Sequence, residues 1–476
     1  MLESFITFLK KNSKFYLIYG NILAILILLY IFISPPLIRN LPLDQQASTM
    51  NQIGYSISYS IVLLVYPYFG LSKKEISNPK KLMLIIFFIF IGLTIWLDSF
   101  GIFMGYNNFM WDYNYGHDYF YGILSQYTKV YYPLGSSIYF VFCYITNPWG
   151  STLLYRLMSD CWGLGIYYMV YKISTIEELG IDRKKLGNIF IYITFSGIQM
   201  LFFLLTQKGD YFEIFLSLIG IYFTIKKRWF WSAFIFIFCG FFKLYAFLWI
   251  GGILLLFLKQ KKWSDFKKYL VSTVIAGSIF IILSYLIEGD KFFQNLFSFR
   301  WQFSTEIANA YNLNFGYYLQ FFGISYLNVV PYVLIFGIFI LYALKFVKKI
   351  DLNFFINVVL IILIFYPAVN FQYLIWIIPI IGLNLMNHID QYRKSTAVFE
   401  LIHVNADLHA FSWLMIFGLN DALYLISTDP LELFVVLFIR FILLFPMVIG
   451  LCYYFILNNL QKEKSLIHNP NTFIEV

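Results

Sequence analysis

Residues 208–262 read KGDYFEIFLSLIGIYFTIKKRWFWSAFIFIFCGFFKLYAFLWIGGILLLFLKQKK. Three apolar runs in this stretch, 211–225, 229–242 and 244–258, are separated only by short polar breaks. A helix that is hydrophobic all round is either the core of a large protein or a segment in a membrane. The stretch therefore predicts consecutive helices that turn back on one another inside an apolar environment.

The composition of the whole chain decides between these two environments. Of its 476 residues, 60% are hydrophobic and only 12% are charged, and the mean hydropathy is +0.72. Soluble domains carry about 25% charged residues. These values exclude a soluble multidomain protein, a disordered chain, a disulfide-stapled secreted domain and a coiled coil. The net charge of +9 does not indicate nucleic-acid binding, because the lysines lie in short clusters between apolar runs.

The apolar runs predict an all-α polytopic membrane protein. A spanning helix needs about 20 apolar residues, with a range of roughly 17 to 25. The clearest candidates are 15–37, 53–71, 82–103, 152–172, 186–206, 269–287, 326–346, 371–386, 408–427 and 433–457, and shorter runs lie at 211–225, 229–242, 244–258 and 354–366. Together they predict about fourteen transmembrane helices in a single membrane-embedded unit over residues 1–476.

The orientation follows from the basic clusters. If the apolar stretch 133–145 were a further span, the cluster 183–185 would face the opposite side from the other lysine clusters. If 133–145 is instead a re-entrant or interfacial helix in the first large outer loop, all of the basic clusters fall on one side, as the positive-inside rule requires. This assignment predicts that both termini are cytoplasmic.

Ionisable side chains at membrane depth are costly and by default indicate functional sites. The outward-facing side has two polar loops, 104–150 and 288–325. The first contains Asp112 and Asp118, and the second contains Arg300. Two short polar breaks, 207–210 and 243–245, face the same side. The first ends at Asp210, three residues before Glu213, and the second begins at Lys243.

Acids, a lysine and an arginine that converge at the membrane surface suggest a reaction on a lipid-linked phosphate. A carboxylate can deprotonate an acceptor hydroxyl. The cations can hold a phosphate through charge-assisted hydrogen bonds worth about 1.5–3 kcal/mol each. The alternative is that Asp112 and Asp118 belong to a solvated loop and that Lys243 extends to the interface.

Other charged residues are open to simpler interpretations. Arg156 and Asp160 lie four residues apart in one predicted helix, so we expect them to pair with each other. His117 precedes Asp118 and is a candidate base or metal ligand, although an exposed histidine in a tyrosine-rich loop is more often neither.

Five sequence elements occur in a recognisable order. They are Asp112 and Asp118 followed by Tyr131-Tyr132-Pro133-Leu134; Lys208-Gly209-Asp210-Tyr211-Phe212-Glu213; Lys226-Lys227-Arg228; Phe242-Lys243-Leu244-Tyr245; and Asn312-Leu313-Asn314 with Phe371-Gln372-Tyr373-Leu374-Ile375-Trp376. With these elements, residues 111–386 resemble the polyprenyl-phosphate-sugar-dependent glycosyltransferases of the C superfamily. They are most similar to GPI mannosyltransferase I and its prokaryotic relatives.

The resemblance implies roles for individual residues. Asp118 or Asp112 is the catalytic base, Lys243 and Arg300 bind phosphate, and Asp210, Glu213, Gln372 and Tyr373 bind sugar hydroxyls or order the basic residues. The family's two acids are often one residue apart, whereas here they are six apart, which leaves the base open. Asp118 is favoured because Asp118-Tyr119-Phe120-Tyr121 best matches the acidic-aromatic pattern before the Tyr-Pro element.

The expected activity is transfer of a sugar, by resemblance mannose, from a polyprenyl phosphate to a glycan or glycolipid acceptor on the outer or lumenal face. The membrane is a plasma membrane in a prokaryote and an endoplasmic reticulum in a eukaryote. Paired acids are ligands that Mg²⁺ or Mn²⁺ accepts, but these two are far apart, so a metal is an open question. Two alternatives are a lipid-linked polysaccharide polymerase or ligase and a polyprenyl-lipid transporter.

Overall fold

A computed structural model describes residues 78–99, 113–114, 117–118, 134–195, 210–243, 245–288, 330–365 and 376–387. Helix is the only regular secondary structure in these residues, which contain no strand, so the all-α prediction is confirmed for them. The helices are α1 Pro79–Ser99, α2 Leu134–Thr146, α3 Thr152–Ser174, α4 Leu186–Phe195, α5 Asp210–Ile225, α6 Trp229–Phe242, α7 Tyr245–Lys259, α8 Trp263–Glu288, α9 Val330–Leu341 with a π-helical end Tyr342–Phe346, α10 Leu352–Phe365 and α11 Ile378–Asn387. Short 3₁₀ segments lie at Glu177–Leu179 and Arg183–Lys185.

Two of the described helices are long and apolar enough to cross a membrane, Pro79–Trp96 in α1 and Trp263–Leu286 in α8. Only 17% and 28% of their apolar windows are buried, whereas the core helix of a soluble protein is mostly buried. Large apolar side chains such as Phe88 and Leu286 are exposed on them. These two helices indicate membrane association. The predicted count of fourteen spans stays a prediction, because the described residues do not include all of the runs.

The middle of the bundle is closely packed. Helix α6 packs against α2, α5, α7 and α8, and α5 also packs against α3. A Cβ atom on Gly220 of α5 would lie 2.4 Å from the Phe236 ring of α6, so only glycine lets these helices approach this closely. Helix α10 is buried on nearly all sides, and Trp249 of α7 donates its indole N–H to the Phe355 carbonyl of α10 at 3.1 Å.

The basic turns meet at one end of this bundle. We call the segments 226–228, 259–268 and 345–349 the basic end. Trp229, the first residue of α6 and the residue that follows the first segment, donates through Nε1 to Asp265 Oδ1 of the second segment at 3.1 Å. Lys259 Nζ donates to the Val347 carbonyl at 2.8 Å, and Gln260 Nε2 donates to the Lys348 carbonyl at 2.6 Å, which joins the second to the third.

At the opposite end α5 and α7 begin and α6 ends. Helix α2, which the sequence predicts over 133–145, packs there through Tyr139, whose ring contacts Phe212 in the first turn of α5 and Phe242 at the end of α6. At 1.5 Å per residue, α5, α6 and α7 are about 21–24 Å long. This is shorter than the hydrocarbon core of a bilayer, which is about 30 Å thick.

Candidate functional site

Lys243 lies in the two-residue break between α6 and α7. Its backbone is extended, with φ −141° and ψ 124°, and this conformation ends α6. Its side chain is 27% exposed, and Nζ lies 3.6 Å from Asp210 Oδ1. The same Nζ lies 5.3 Å from the centroid of the Trp376 ring, where the face of an indole attracts a cation. Lys243 is therefore held by a carboxylate and an aromatic ring while part of it faces outward.

Asp210 is the first residue of α5 and is 7% exposed. The N-terminus of a helix favours a carboxylate because the macrodipole is positive there. Besides contacting Lys243, the same Oδ1 accepts a hydrogen bond from Trp376 Nε1 at 3.4 Å. Asp210 thus links three separate chain segments: the start of α5, the break after α6 and the residues just before α11.

Glu213 lies one helical turn after Asp210 and is 1% exposed. Neither of its carboxylate oxygens has a hydrogen bond of standard geometry within the described part of the chain. Lys243 and Asp210 act on it electrostatically, and the Tyr245 hydroxyl is close enough for a hydrogen bond of poorer geometry. A buried acidic side chain with so few polar partners is unfavourable in a structural core, and such groups concentrate at functional sites. We call Asp210, Glu213, Lys243, Tyr245 and Trp376 the site end.

Tyr245, the first residue of α7, lies two residues after Lys243 and belongs to the same cluster. Its hydroxyl lies 3.0 Å from Ser217 Oγ of α5, and its ring centroid lies 4.9 Å from that of Trp376. Ser217 Oγ also lies 3.8 Å from the sulfur of Cys239 in α6. These contacts fix the relative positions of α5, α6 and α7 directly below the charged groups.

Asp118 and His117 form a second polar group. His117 Nδ1 lies 3.1 Å from Asp118 Oδ1, and the two side chains are 40% and 12% exposed, respectively. The His117 ring meets the Tyr144 ring of α2 edge to face at 5.3 Å. A carboxylate on one imidazole nitrogen orients the ring and favours a proton on that nitrogen, so the second nitrogen is the one that exchanges a proton. A proton can therefore be taken up here by Asp118 itself or by His117.

The segment that carries Asp118 is anchored to the α2–α3 region. The Tyr113 hydroxyl donates to the Pro148 carbonyl at 3.0 Å, and its ring lies 5.5 Å from that of Tyr144. Gly150, in the same turn, has a φ of 64°, and a Cβ atom there would lie 3.3 Å from the Tyr113 ring.

Helix α2 connects the two polar groups. Its Tyr144 contacts His117, and its Tyr139 stacks on Phe212 of α5 at 5.3 Å. Within the described residues, however, Asp118 makes no hydrogen bond or ion pair with the site end. The structure thus brings Asp210, Glu213 and Lys243 together and pairs Asp118 with His117 beside Tyr144.

The remaining predicted site residues, Asp112, Arg300, Gln372 and Tyr373, lie outside the described residues. Trp376 was given no role from the sequence, although it is the last residue of the Phe371–Trp376 element. In the structure it contacts both Lys243 and Asp210. Across the described ranges, no group of three or more His, Cys, Asp or Glu side chains is arranged to hold a metal ion.

Arg156 belongs to a separate, structural contact. It is fully buried in α3, and its NH1 lies 3.7 Å from Asp98 Oδ1 near the end of α1. Thr152 Oγ1 donates to the same oxygen at 3.0 Å. Asp160, the partner expected from the sequence, also acts on the guanidinium electrostatically. This cluster ties α1 to α3.

Comparisons with protein-family models, with curated proteins and with solved structures found no match for this chain. Its function is therefore inferred from its own residues and geometry.

Proposed function

We propose that this chain is an integral membrane glycosyltransferase with about fourteen spanning helices. It transfers a sugar, mannose by resemblance, from a polyprenyl phosphate to a glycan or glycolipid on the outer or lumenal face. The observation that carries the proposal is the site end, where Lys243 contacts Asp210 and Trp376 beside the buried Glu213.

The geometry of Lys243 suits a phosphate. An ammonium group carries a full positive charge and has three N–H donors and no acceptor, a combination that suits an anion such as phosphate. Asp210 accepts from Trp376 and pairs with Lys243, which supports a role in ordering the lysine rather than in binding a sugar hydroxyl. A partly exposed lysine held in this way is a point charge with a defined position.

The short helices support access from the membrane. With their basic turns at one membrane surface, α5, α6 and α7 end about 6–9 Å short of the far side of a hydrocarbon core about 30 Å thick. The site end would then lie in a recess below the level of the lipid phosphates, which are outside the hydrocarbon core. A polyprenyl chain can remain in the bilayer while its phosphate reaches Lys243.

The proposed reaction is a single displacement with inversion at the anomeric carbon. The acceptor hydroxyl attacks this carbon, the bond from the carbon to the phosphate oxygen breaks, and polyprenyl phosphate leaves with the bonding electrons. Asp118 or Asp112 takes the hydroxyl proton, and a positioned base typically contributes about 10²–10⁴-fold. The phosphate needs cations rather than a general acid, a role we assign to Lys243 and Arg300. Gln372, Tyr373 and Glu213 are proposed to contact or position the donor sugar.

A transfer assay with purified protein tests the proposal. The protein in nanodiscs is given radiolabelled polyprenyl-phosphate mannose, with polyprenyl-phosphate glucose in a parallel assay, and a membrane lipid extract as acceptor. Wild-type protein should transfer the label and release polyprenyl phosphate, and Asp118→Asn should lower turnover at least about 100-fold. If Asp118→Asn is fully active and Asp112→Asn is inactive, Asp112 is the base.

A third variant, His117→Gln, separates the two proton acceptors of the His117–Asp118 pair. If Asp118 acts directly, His117→Gln retains most activity. If the imidazole exchanges the proton, both variants lose activity. No release from any polyprenyl-phosphate sugar would contradict the proposal and favour a polymerase, ligase or transporter.

A further inference from the structure

Two turns at the basic end share an unusual backbone. Lys227 and Lys261 have φ values of 56° and 57°, in the left-handed region that favours glycine. After α5, Arg228 N–H donates to the Phe223 carbonyl at 2.9 Å and Lys227 N–H donates to the Thr224 carbonyl at 3.0 Å. This pair of hydrogen bonds defines a Schellman motif, whose left-handed residue is usually glycine.

The turn after α7 repeats the same hydrogen bonds. Lys262 N–H donates to the Phe257 carbonyl at 2.9 Å, and Lys261 N–H donates to the Leu258 carbonyl at 3.1 Å. The other left-handed positions in the described ranges, Gly150 and Gly180, are glycines. Lysine is therefore present at two positions where glycine would fit the backbone better, and each of these turns carries a positive charge.

The surroundings of these lysines are strongly basic. The three segments of the basic end contain eleven exposed lysines and arginines: Lys226, Lys227, Arg228, Lys259, Lys261, Lys262, Lys267, Lys268, Lys345, Lys348 and Lys349. The nearby acids are engaged in local contacts, since Asp265 accepts from Trp229 and Asp351 accepts from the Phe354 N–H at the start of α10. The surface therefore presents a concentrated positive charge.

Exposed aromatic side chains lie directly beside the same turns. Trp231 is the third residue of α6, close to the first turn, and is 51% exposed. Trp263 is the first residue of α8, next to the second turn, and is 56% exposed. Tryptophans are enriched at the interface between a membrane and water, where the ring sits at the level of the lipid headgroups. Basic and aromatic residues together match the chemistry of a phospholipid surface.

We propose that the basic end binds the phosphate headgroups of anionic phospholipids, with Lys227 and Lys261 as principal contacts. A lysine near an anionic membrane surface contributes about 1 kcal/mol, so loss of both corresponds to about 30-fold weaker binding. Strong salt dependence is expected, because the interaction falls off within a Debye length. This proposal does not depend on the proposed transferase activity.

The test uses the full chain in a neutral detergent. Phosphatidylglycerol, phosphatidylcholine or inorganic phosphate is titrated in, and bound lipid is counted by native mass spectrometry. The key variant, Lys227→Gly with Lys261→Gly, removes two charges while giving both turns their preferred residue, so its Tm should be equal to or above that of wild type. The matched control, Lys227→Arg with Lys261→Arg, keeps the charges.

We expect wild type and the arginine variant to bind phosphatidylglycerol more tightly than phosphatidylcholine, and the glycine variant to bind phosphatidylglycerol about 30-fold more weakly than wild type. Equal affinity of wild type for the two lipids would overturn the proposal. Unchanged phosphatidylglycerol binding by the glycine variant would also overturn it. Displacement of the lipid by equimolar inorganic phosphate would identify a site for free phosphate instead.

Discussion

Both ends of the helix bundle contain a tryptophan that donates its indole N–H to an aspartate. Trp376 Nε1 lies 3.4 Å from Asp210 Oδ1 at the site end, and Trp229 Nε1 lies 3.1 Å from Asp265 Oδ1 at the basic end. Asp210 is buried and also contacts Lys243, whereas Asp265 is half-buried among exposed lysines. This type of contact therefore orders a charged site at one end, whereas at the other end it joins helix α6 to helix α8.

Electrostatic interactions have different strengths at the two ends. Exposed charges interact weakly because water and salt screen them, and a single surface pair contributes about 0–1 kcal/mol. A charge partly removed from water interacts more strongly, and losing its partner is costly. The many lysines of the basic end act together on a large anionic surface, whereas the single lysine of the site end, at 27% exposure, is suited to one phosphate.

Lys243→Gln should lower turnover more than any other substitution discussed below. Removing this ammonium group deletes charge-assisted contacts to a bound phosphate, and we expect turnover in the transfer assay to fall about 100-fold. The matched control is Lys268→Gln at the basic end, where the side chain is exposed, and it should keep wild-type turnover.

The two lysine variants test whether the ends differ in function. Tm values measured in the same detergent identify any loss of fold in Lys243→Gln, which leaves the buried Asp210 and Glu213 without their cation. Equal turnover of Lys243→Gln and Lys268→Gln, with both proteins folded, would contradict the assignment of the site end.

Gly220→Ala tests the packing that connects the two ends. A Cβ atom at this position would lie 2.4 Å from Phe236, which is itself fully buried, so we expect a loss of about 1–3 kcal/mol. Gly92→Ala in α1 is the control, because nothing lies within 4 Å of its Cβ position. In thermal unfolding, Gly220→Ala should lower Tm and Gly92→Ala should leave it equal or raise it. Equal Tm values for the two variants would contradict the close approach of α5 and α6.

Asp210→Asn tests whether Asp210 acts by ordering Lys243 or by contacting the substrate directly. Asparagine can still accept from Trp376, but it no longer attracts the ammonium group. We expect about a 10-fold fall in turnover, because the lysine is less well ordered but still present. Asp265→Asn at the basic end keeps the equivalent acceptor for Trp229 and should leave turnover unchanged. A loss of turnover as large as that of Lys243→Gln would instead assign Asp210 to substrate binding.

Most of the described helices could be predicted from the sequence. The apolar run 229–242 coincides with α6, and the runs 152–172 and 244–258 differ from α3 and α7 by at most two residues. Length and hydrophobicity suffice because each run is bounded by charged or turn-forming residues. Helix α8 begins at Trp263, six residues before the predicted start, because the charged residues before Tyr269 continue the helix outside the apolar run.

The site was predicted only in part, because its contacts join distant segments. The sequence identified Asp210, Glu213 and Lys243 as costly charges, and the structure brings them together. It gave no sign that Trp376 would lie against both Lys243 and Asp210, since a tryptophan in an apolar run resembles any interfacial aromatic residue. Arg156 illustrates the same limit. The sequence predicted its interaction with Asp160, four residues later in the same helix. It did not predict the contact with Asp98 on another helix.

The smallest effects come from the two tryptophans. Trp229→Phe removes one hydrogen bond to a half-buried aspartate, and we expect a loss of about 1 kcal/mol in unfolding free energy with unchanged turnover. Trp376→Phe removes the N–H to Asp210 but keeps an aromatic ring near Lys243, so turnover should fall less than about 10-fold. Trp376→Leu removes the ring as well and should lower turnover further. If Trp376→Phe and Trp376→Leu have equal turnover, the ring does not hold the lysine, and the hydrogen bond to Asp210 is the contact that orders the site end.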